Sequence, residues 1–306
     1  MSGVTLTAGW SFSGGFTFTE APVEAAWFSG GSGPLSTVQR ITFATDTATA
    51  SERGPLSQGR EAMGAAGNTT DGWFGGGSGS VSTVERITYA TDTATASVRG
   101  PLSSARNGLA AAGNSDYGWF GGGRTSTSLV DRITYATDTA TASVRGPLSS
   151  VRYLLAATGN ATDAWFGGGN PGPVSTVDRI TYATDTATAS VRGPLSLARQ
   201  GLAAAGNTTD GWFGSGFSGS SRSTVDRITY ATDTATASVR GPLSLARQYL
   251  AAAGNTTDGW FGGGVTSGNS KSTIDRITYA TDTATASVRG PLSLASYYFA
   301  AAAGIQ

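Results

Sequence analysis

The chain has 306 residues, of which 45 are glycine and 13% are charged, with 20 basic side chains against 20 acidic ones. Such a balance argues against function through long-range attraction to nucleic acid or an anionic membrane. Cysteine and histidine are both absent. That removes disulfides, thiolate nucleophiles, zinc sites built on those ligands and the usual general base, so no metal or cofactor is expected.

Residues 1–24 begin MSGVTLTAGWSFSGG, with neither a basic start nor a clean apolar stretch, and do not read as a standard secretory signal. Val4, Leu6, Phe12, Phe16 and Phe18 alternate with small or polar residues. The pattern predicts extended chain, either an arm that docks on another protein or an extra strand on its own domain; the arm is the expectation. No run of 18 apolar residues occurs anywhere, so no helix is expected to insert in a membrane.

From residue 25 onward repetition dominates. The block RITYATDTATASVRGPLS recurs almost unchanged with its first Arg at 40, 86, 132, 179, 227 and 276, and a Trp-Phe pair followed by glycines has its Trp at 27, 73, 119, 165, 212 and 260. Periods of this size indicate propellers or solenoids. In one unit the pattern predicts a small-residue strand at 108–113, an aromatic one at 117–121, and strands at 129–136 and 139–145 from Thr, Tyr, Ile and Val enrichment and period-two alternation. Turn residues separate them: Asn-Ser-Asp, Gly-Gly-Gly, Thr-Asp and Gly-Pro. The last unit ends with a first strand that has no Trp-Phe partner, and Trp27 lacks an ordinary first strand before it. Joining the two completes a blade, since residues 25–306 number 282, six times 47. The expectation is an all-β, six-bladed propeller of four-stranded blades over 25–306, closed by pairing of its terminal strands.

Here the residues resemble a known family. Gly-Gly after an aromatic strand, then Tyr89-Ala-Thr-Asp92-Thr-Ala-Thr, then Pro101-Leu102-x-x-Ala105-Arg106, is similar to the kelch repeat. It departs where kelch has a Trp in the fourth strand and this chain has Ala96 and its copies; Trp73 and its copies are the substitute anchors. The wording YATDTATASVRGPLS is similar to kelch-like repeat proteins of marine bacteriophages, especially cyanophages. That resemblance implies a virion protein assembled in the host cytoplasm.

Acids that recur from unit to unit make poor catalytic candidates, because a single active site breaks symmetry. They read as turn formers (Asp46, Asp92 and copies; Asp71, Asp116 and copies) or Arg partners (Glu85, Asp131, Asp178, Asp226, Asp275). Gly214-Ser-Gly216-Phe-Ser-Gly219 fits a nucleotide fingerprint only formally, with no helix after it. The copper sites of kelch-type oxidases use His, and sialidase Asp boxes are missing, so no enzyme is expected.

Where the copies differ is more informative. The distance from block Arg to the next Trp is always 33 residues, but from Trp to Arg it runs 13, 13, 13, 14, 15 and 16. A second variable patch follows each Gly-Pro-Leu-Ser. In an up-and-down blade, the second-to-third and fourth-to-first connections share one face of the disc. That face is the predicted recognition surface, with candidates Arg60, Arg106, Arg152, Tyr153, Arg199, Arg247, Tyr249, Tyr297 and Tyr298 near a channel mouth, and Arg124, Phe217, Arg222 and Lys271 on the loops. Tyr plates and Arg forks suit acidic or neutral glycans; the alternative for Arg60, Arg106, Arg152, Arg199 and Arg247 is a kelch-like scaffold role, each pairing with a blade acid. The expected function is a non-enzymatic tail-fibre or surface-appendage protein that binds a host-surface glycan or receptor. Residues 1–24 are available for other virion proteins. The alternatives are a structural or decoration protein and, more weakly, a cellular protein-interaction module.

Overall fold

A computed structural model describes residues 24–125 and 127–304. Six four-stranded antiparallel sheets form the blades of a closed propeller. In blade 2 the strands, from axis to rim, are Gly64–Gly67, Asp71–Gly75, Val84–Thr88 and Ser97–Arg99. Blade 1 is the shared one: Ala300–Ala303 pairs with Ala25–Ser29, with Trp27 opposite Ala302, and Val38–Thr42 and Ser51–Arg53 follow. Of the expected arm over 1–24, only Glu24 lies within the described residues.

Radial position explains the composition of each strand. Near the axis the blades converge and small side chains dominate, Ala and Gly with the single exception of Thr158: the innermost strands read GAAG, AAAG, AATG, AAAG, AAAG and AAAA. One step out, both faces of the sheet are covered by neighbouring blades. The Trp-Phe strand is therefore continuously buried rather than alternating, as strands covered on both faces are. The rim strands hold three residues and are mostly exposed, which leaves little edge for pairing with another chain.

Three strands of blade 3 are shorter than the sequence expectation, the first covering Ala110–Gly113 rather than 108–113. The third strand of blade 3 covers Val130–Thr134 only, because Tyr135–Thr137 turns into a 3-10 helix. The fourth covers Ser143–Arg145, not 139–145. The early turn carries Tyr135 off the sheet and into the cleft between blades, where burial pushes its phenol far above the usual range.

That cleft holds the ring together. Each Trp stacks on the aromatic residue of the next blade: Trp73 on Tyr135 with centroids 3.8 Å apart and planes 7° from parallel, and Trp260 on Phe43 at 4.0 Å across the closure. The same indole N–H donates to the Asp of the following turn, Trp73 to Asp138 at 2.9 Å and Trp260 to Asp46 at 2.9 Å. Arg86 and Arg99 reach that Asp138 carboxylate at 3.1 and 3.4 Å, and the backbone N–H of Gly100 donates to its carbonyl at 2.8 Å. From the other side Phe120, Phe166, Phe213, Phe261 and Phe28 each fill the space that a side chain would occupy at a glycine of the preceding blade, Gly75, Gly121, Gly167, Gly214 and Gly262 respectively. This latch recurs at all six blade junctions: Trp27, Trp119, Trp165 and Trp212 donate to Asp92, Asp185, Asp233 and Asp282.

The innermost strands surround an axial cavity of about 400 Å³ lined mainly by Ala and Gly. It lies toward the face of the Asn turns. On the opposite face the axis is closed in another way, and that closure organises the candidate site.

Candidate functional site

The variable face is built on a hydrogen-bonded collar. Six equivalent residues, Ala62, Gly108, Leu154, Gly201, Tyr249 and Tyr298, all have φ between 56° and 66°. This left-handed conformation turns each N–H toward the carbonyl of the preceding blade's copy. Gly108 donates to Ala62, Leu154 to Gly108, Gly201 to Leu154, Tyr249 to Gly201, Tyr298 to Tyr249 and Ala62 to Tyr298, at 2.7–2.9 Å, so the chain of bonds closes on itself. Buried Met63, Leu109, Leu155, Leu202, Leu250 and Phe299 follow the collar residues in sequence and line, with them, a small axial space of about 70 Å³. The expected channel mouth on this face is thus a floor.

Outside the collar the two variable patches come together by backbone pairing. Glu61, Asn107, Tyr153, Gln200, Gln248 and Tyr297 each precede a collar residue. Each engages the second-to-third loop of its own blade, at Ser78, Arg124, Asn170, Phe217, Val265 and Ser32 respectively, through backbone bonds of 2.6–3.1 Å. The face therefore consists of concentric rings whose positions are equivalent and whose side chains are not. Because the contacts use main-chain groups, they constrain side-chain identity weakly.

The opposite face is held by side chains, which explains its uniformity. The Asn68 Oδ1 accepts the N–H groups of Thr70 and Asp71 at 2.9 Å, and its Nδ2 donates to Ser115 of the next blade at 3.3 Å. Asp71 in turn accepts from Thr88 at 2.6 Å. Asn160, Asn207 and their turns repeat the arrangement. The Asn-x-Thr triplets that begin at Asn68, Asn160 and Asn207 are therefore turns.

The five recurring arginines take the scaffold role, each paired with a blade acid, and not the ligand-binding place on the face. Arg60, Arg106, Arg152, Arg199 and Arg247 are at most 1% exposed and lie beneath the face rather than on it. The Arg106 guanidinium donates to the Asp131 carboxylate at 2.9 Å and to the carbonyls of Phe120 and Leu129 at 3.0 and 3.1 Å, on either side of its blade's variable loop. Arg152 reaches Gly168 and Thr176, Arg199 reaches Ser215 and Thr224, and Arg247 reaches Gly263 and Thr273, with Asp178, Asp226 and Asp275 as their acids; Arg60 pairs with Glu85. Burial pulls all five guanidinium pKa values down while the paired carboxylates oppose it. These arginines bind the feet of each loop together, so its tip can lengthen without disturbing the blade. In blade 1 both partners change together, to Ser296 and Gln39. That is the expected consequence of a buried pair, in which either charge alone is costly.

The remaining candidates do lie on the face. Tyr249, Tyr297 and Tyr298 cluster where blades 6 and 1 meet, with centroid separations of 4.3 Å for Tyr249–Tyr298 and 5.1 Å for Tyr297–Tyr298. The Tyr249 ring occupies the space that a side chain at Gly201 would take. Burial, the nearby Tyr249 and a hydrogen bond with it push the Tyr298 phenol up, Arg124 pulls it back, and Glu61 adds to the rise. Across the collar the Arg124 guanidinium lies 5.1 Å from the Tyr153 ring centroid, and Asn170 donates to the Tyr153 hydroxyl at 2.6 Å. Phe217 is half-buried against Gln200, Arg222 donates to the Ser218 carbonyl at 2.8 Å, and Lys271 lies at the foot of the longest loop, beside the hairpin Val265–Thr266 and Asn269–Ser270. Sequence reasoning missed Glu61, although it was visible as one of four acids outside the repeating positions.

No protein-family model matches the chain, and no curated protein matches it in sequence.

Proposed function

We propose that this chain is a non-catalytic recognition module that binds its target through the variable face. The observation that carries the reading is the collar and the two rings around it. Eighteen equivalent backbone positions, six in each ring, hold a rigid floor, while unlike side chains converge on its centre. Rigid scaffolds with variable loops are where recognition resides. The acids support a non-enzymatic role, since Asp138 and its copies serve the latch, Asp131 and its copies the buried arginines, and Asp71 and its copies the turns.

The finer reading is a virion-associated protein, in a tail fibre or surface appendage, that recognises a glycan on the host surface. It draws on the likeness of the repeat wording to kelch-like phage proteins and on the half-exposed tyrosines, whose plates suit sugar rings. A glycan array and host-cell binding with labelled protein test it, beside the Tyr249→Ala/Tyr298→Ala variant. Selective binding lost in that variant supports the reading. Copurification in fixed stoichiometry with a capsid or tail protein, without sugar binding, replaces it with a structural role in the particle.

A further inference from the structure

We infer that the variable face takes a singly charged acidic sugar, a uronic or sialic acid unit at the end of a glycan, with its carboxylate on Arg124 and its ring against Tyr298. The inference rests on the recognition reading above and names the ligand class of that same face.

The charge distribution selects the anion. Five of the arginines expected on this face are buried and committed to loop feet, so they offer a ligand nothing. Among the cations that remain, Arg222 gives an Nη to the Ser218 carbonyl, whereas Arg124 is exposed. Among the described residues the Arg124 guanidinium has no hydrogen bond or ion pair, only the Tyr153 ring beneath it. Its backbone is fixed by the 2.6 Å bond to Asn107, and Tyr153 is fixed through Asn170. A planar donor fork, held in place with its edge free, fits a carboxylate in bidentate fashion.

The collar selects the ring. The larger collar side chains lean on the preceding blade: Tyr249 lies over Gly201, and Leu154 lies against Gly108. Tyr298 leans on Tyr249 in the same way. The next collar residue is Ala62, whose methyl group cannot cover a tyrosine, so the Tyr298 ring keeps one flank for a ligand. Arg124 and Glu61 are charged groups near enough to act on its hydroxyl. Glu61, free of any ion pair among the described residues, accepts sugar hydroxyls and repels a second negative charge. That disfavours sulfated polyanions, as does the zero net charge of the chain.

The test is titration calorimetry of the full chain with paired probes: 3′-sialyllactose against lactose, and trigalacturonate against its methyl ester. The acid of at least one pair is expected to bind roughly tenfold or more tightly than its neutral partner. Arg124→Gln should abolish that difference, and Tyr298→Ala should abolish binding of both; circular dichroism confirms that each variant is folded. Neutral probes that bind as well as acids, and lose binding in Tyr298→Ala, would overturn the acidic preference and leave the recognition face standing. Acid binding that survives Tyr249→Ala/Tyr298→Ala would overturn the face itself. No binding of any probe would overturn the inference, and the glycan array then decides the broader reading separately.

Discussion

Replacing Trp73 by Phe isolates the hydrogen bond in the inter-blade latch. Phenylalanine keeps most of the stack on Tyr135, 3.8 Å away, but cannot donate to Asp138. A hydrogen bond to a charged group contributes about 1.5–3 kcal/mol, and the smaller ring leaves a space worth roughly 1 kcal/mol more. The expected cost is therefore about 3 kcal/mol, a large part of the ~5–15 kcal/mol by which domains are stable. For a domain of this size that corresponds to a melting shift of roughly 6–12 °C. Asp138→Ala should cost about 2–3 kcal/mol, less than a fully buried charge would, because Arg86 and Arg99 are 26% and 20% exposed and can rehydrate. Both single variants lose the same bond, so the double variant should fall short of their sum by about 1.5 kcal/mol. Guanidinium denaturation followed by circular dichroism reads all four corners of the cycle. Strict additivity would mean that the indole N–H and the carboxylate are not coupled, and the latch would reduce to apolar packing.

Four further outcomes follow from the same geometry. Arg106→Ser alone should destabilise by about 3–5 kcal/mol, by leaving Asp131 buried and unpaired; Arg106→Ser with Asp131→Gln, which copies the Ser296 and Gln39 of blade 1, should recover a substantial part in the same melts. Gly100→Ala should be severe, since its Cβ would lie 2.0 Å from the Ala140 carbonyl of the next blade, whereas Gly33→Ala, with open space around it and φ of +87°, should cost only about 1–2 kcal/mol of backbone strain. Equal melting points for these two would contradict the close approach of the blades. Tyr89, Tyr135, Tyr182, Tyr230, Tyr279 and Tyr298 have phenol pKa values raised chiefly by burial. The unfolded chain releases these protons near pH 10 while the folded chain retains them, so stability should be complete below about pH 10 and fall as pH rises beyond it. Absorbance titration should show these six as silent until unfolding; their full ionisation in folded protein would refute the burial.

The architecture was legible because repetition exposes it. The period, the Trp-Phe and Tyr-Ala-Thr-Asp blocks and the mismatched ends determined blade number, strand content and closure, and the count from 25 to 306 matched Ala300–Ala303 to Ala25–Ser29. Alternation along an up-and-down blade also placed the two variable patches on one side. What one sequence does not carry is the partner of each recurring residue. Arg106 recurs after all but the last Gly-Pro-Leu-Ser and Arg124 belongs to one variable loop, yet nothing in the chain says that the first is sealed under the loop with Asp131 and the second lies over Tyr153. The difference lies in contacts between residues 14 to 29 positions apart, which only the folded blade brings together. Left-handed backbone at Ala62, Leu154, Tyr249 and Tyr298 leaves no glycine signature, so the collar was invisible until six blades closed around one axis and gave each N–H a carbonyl to meet.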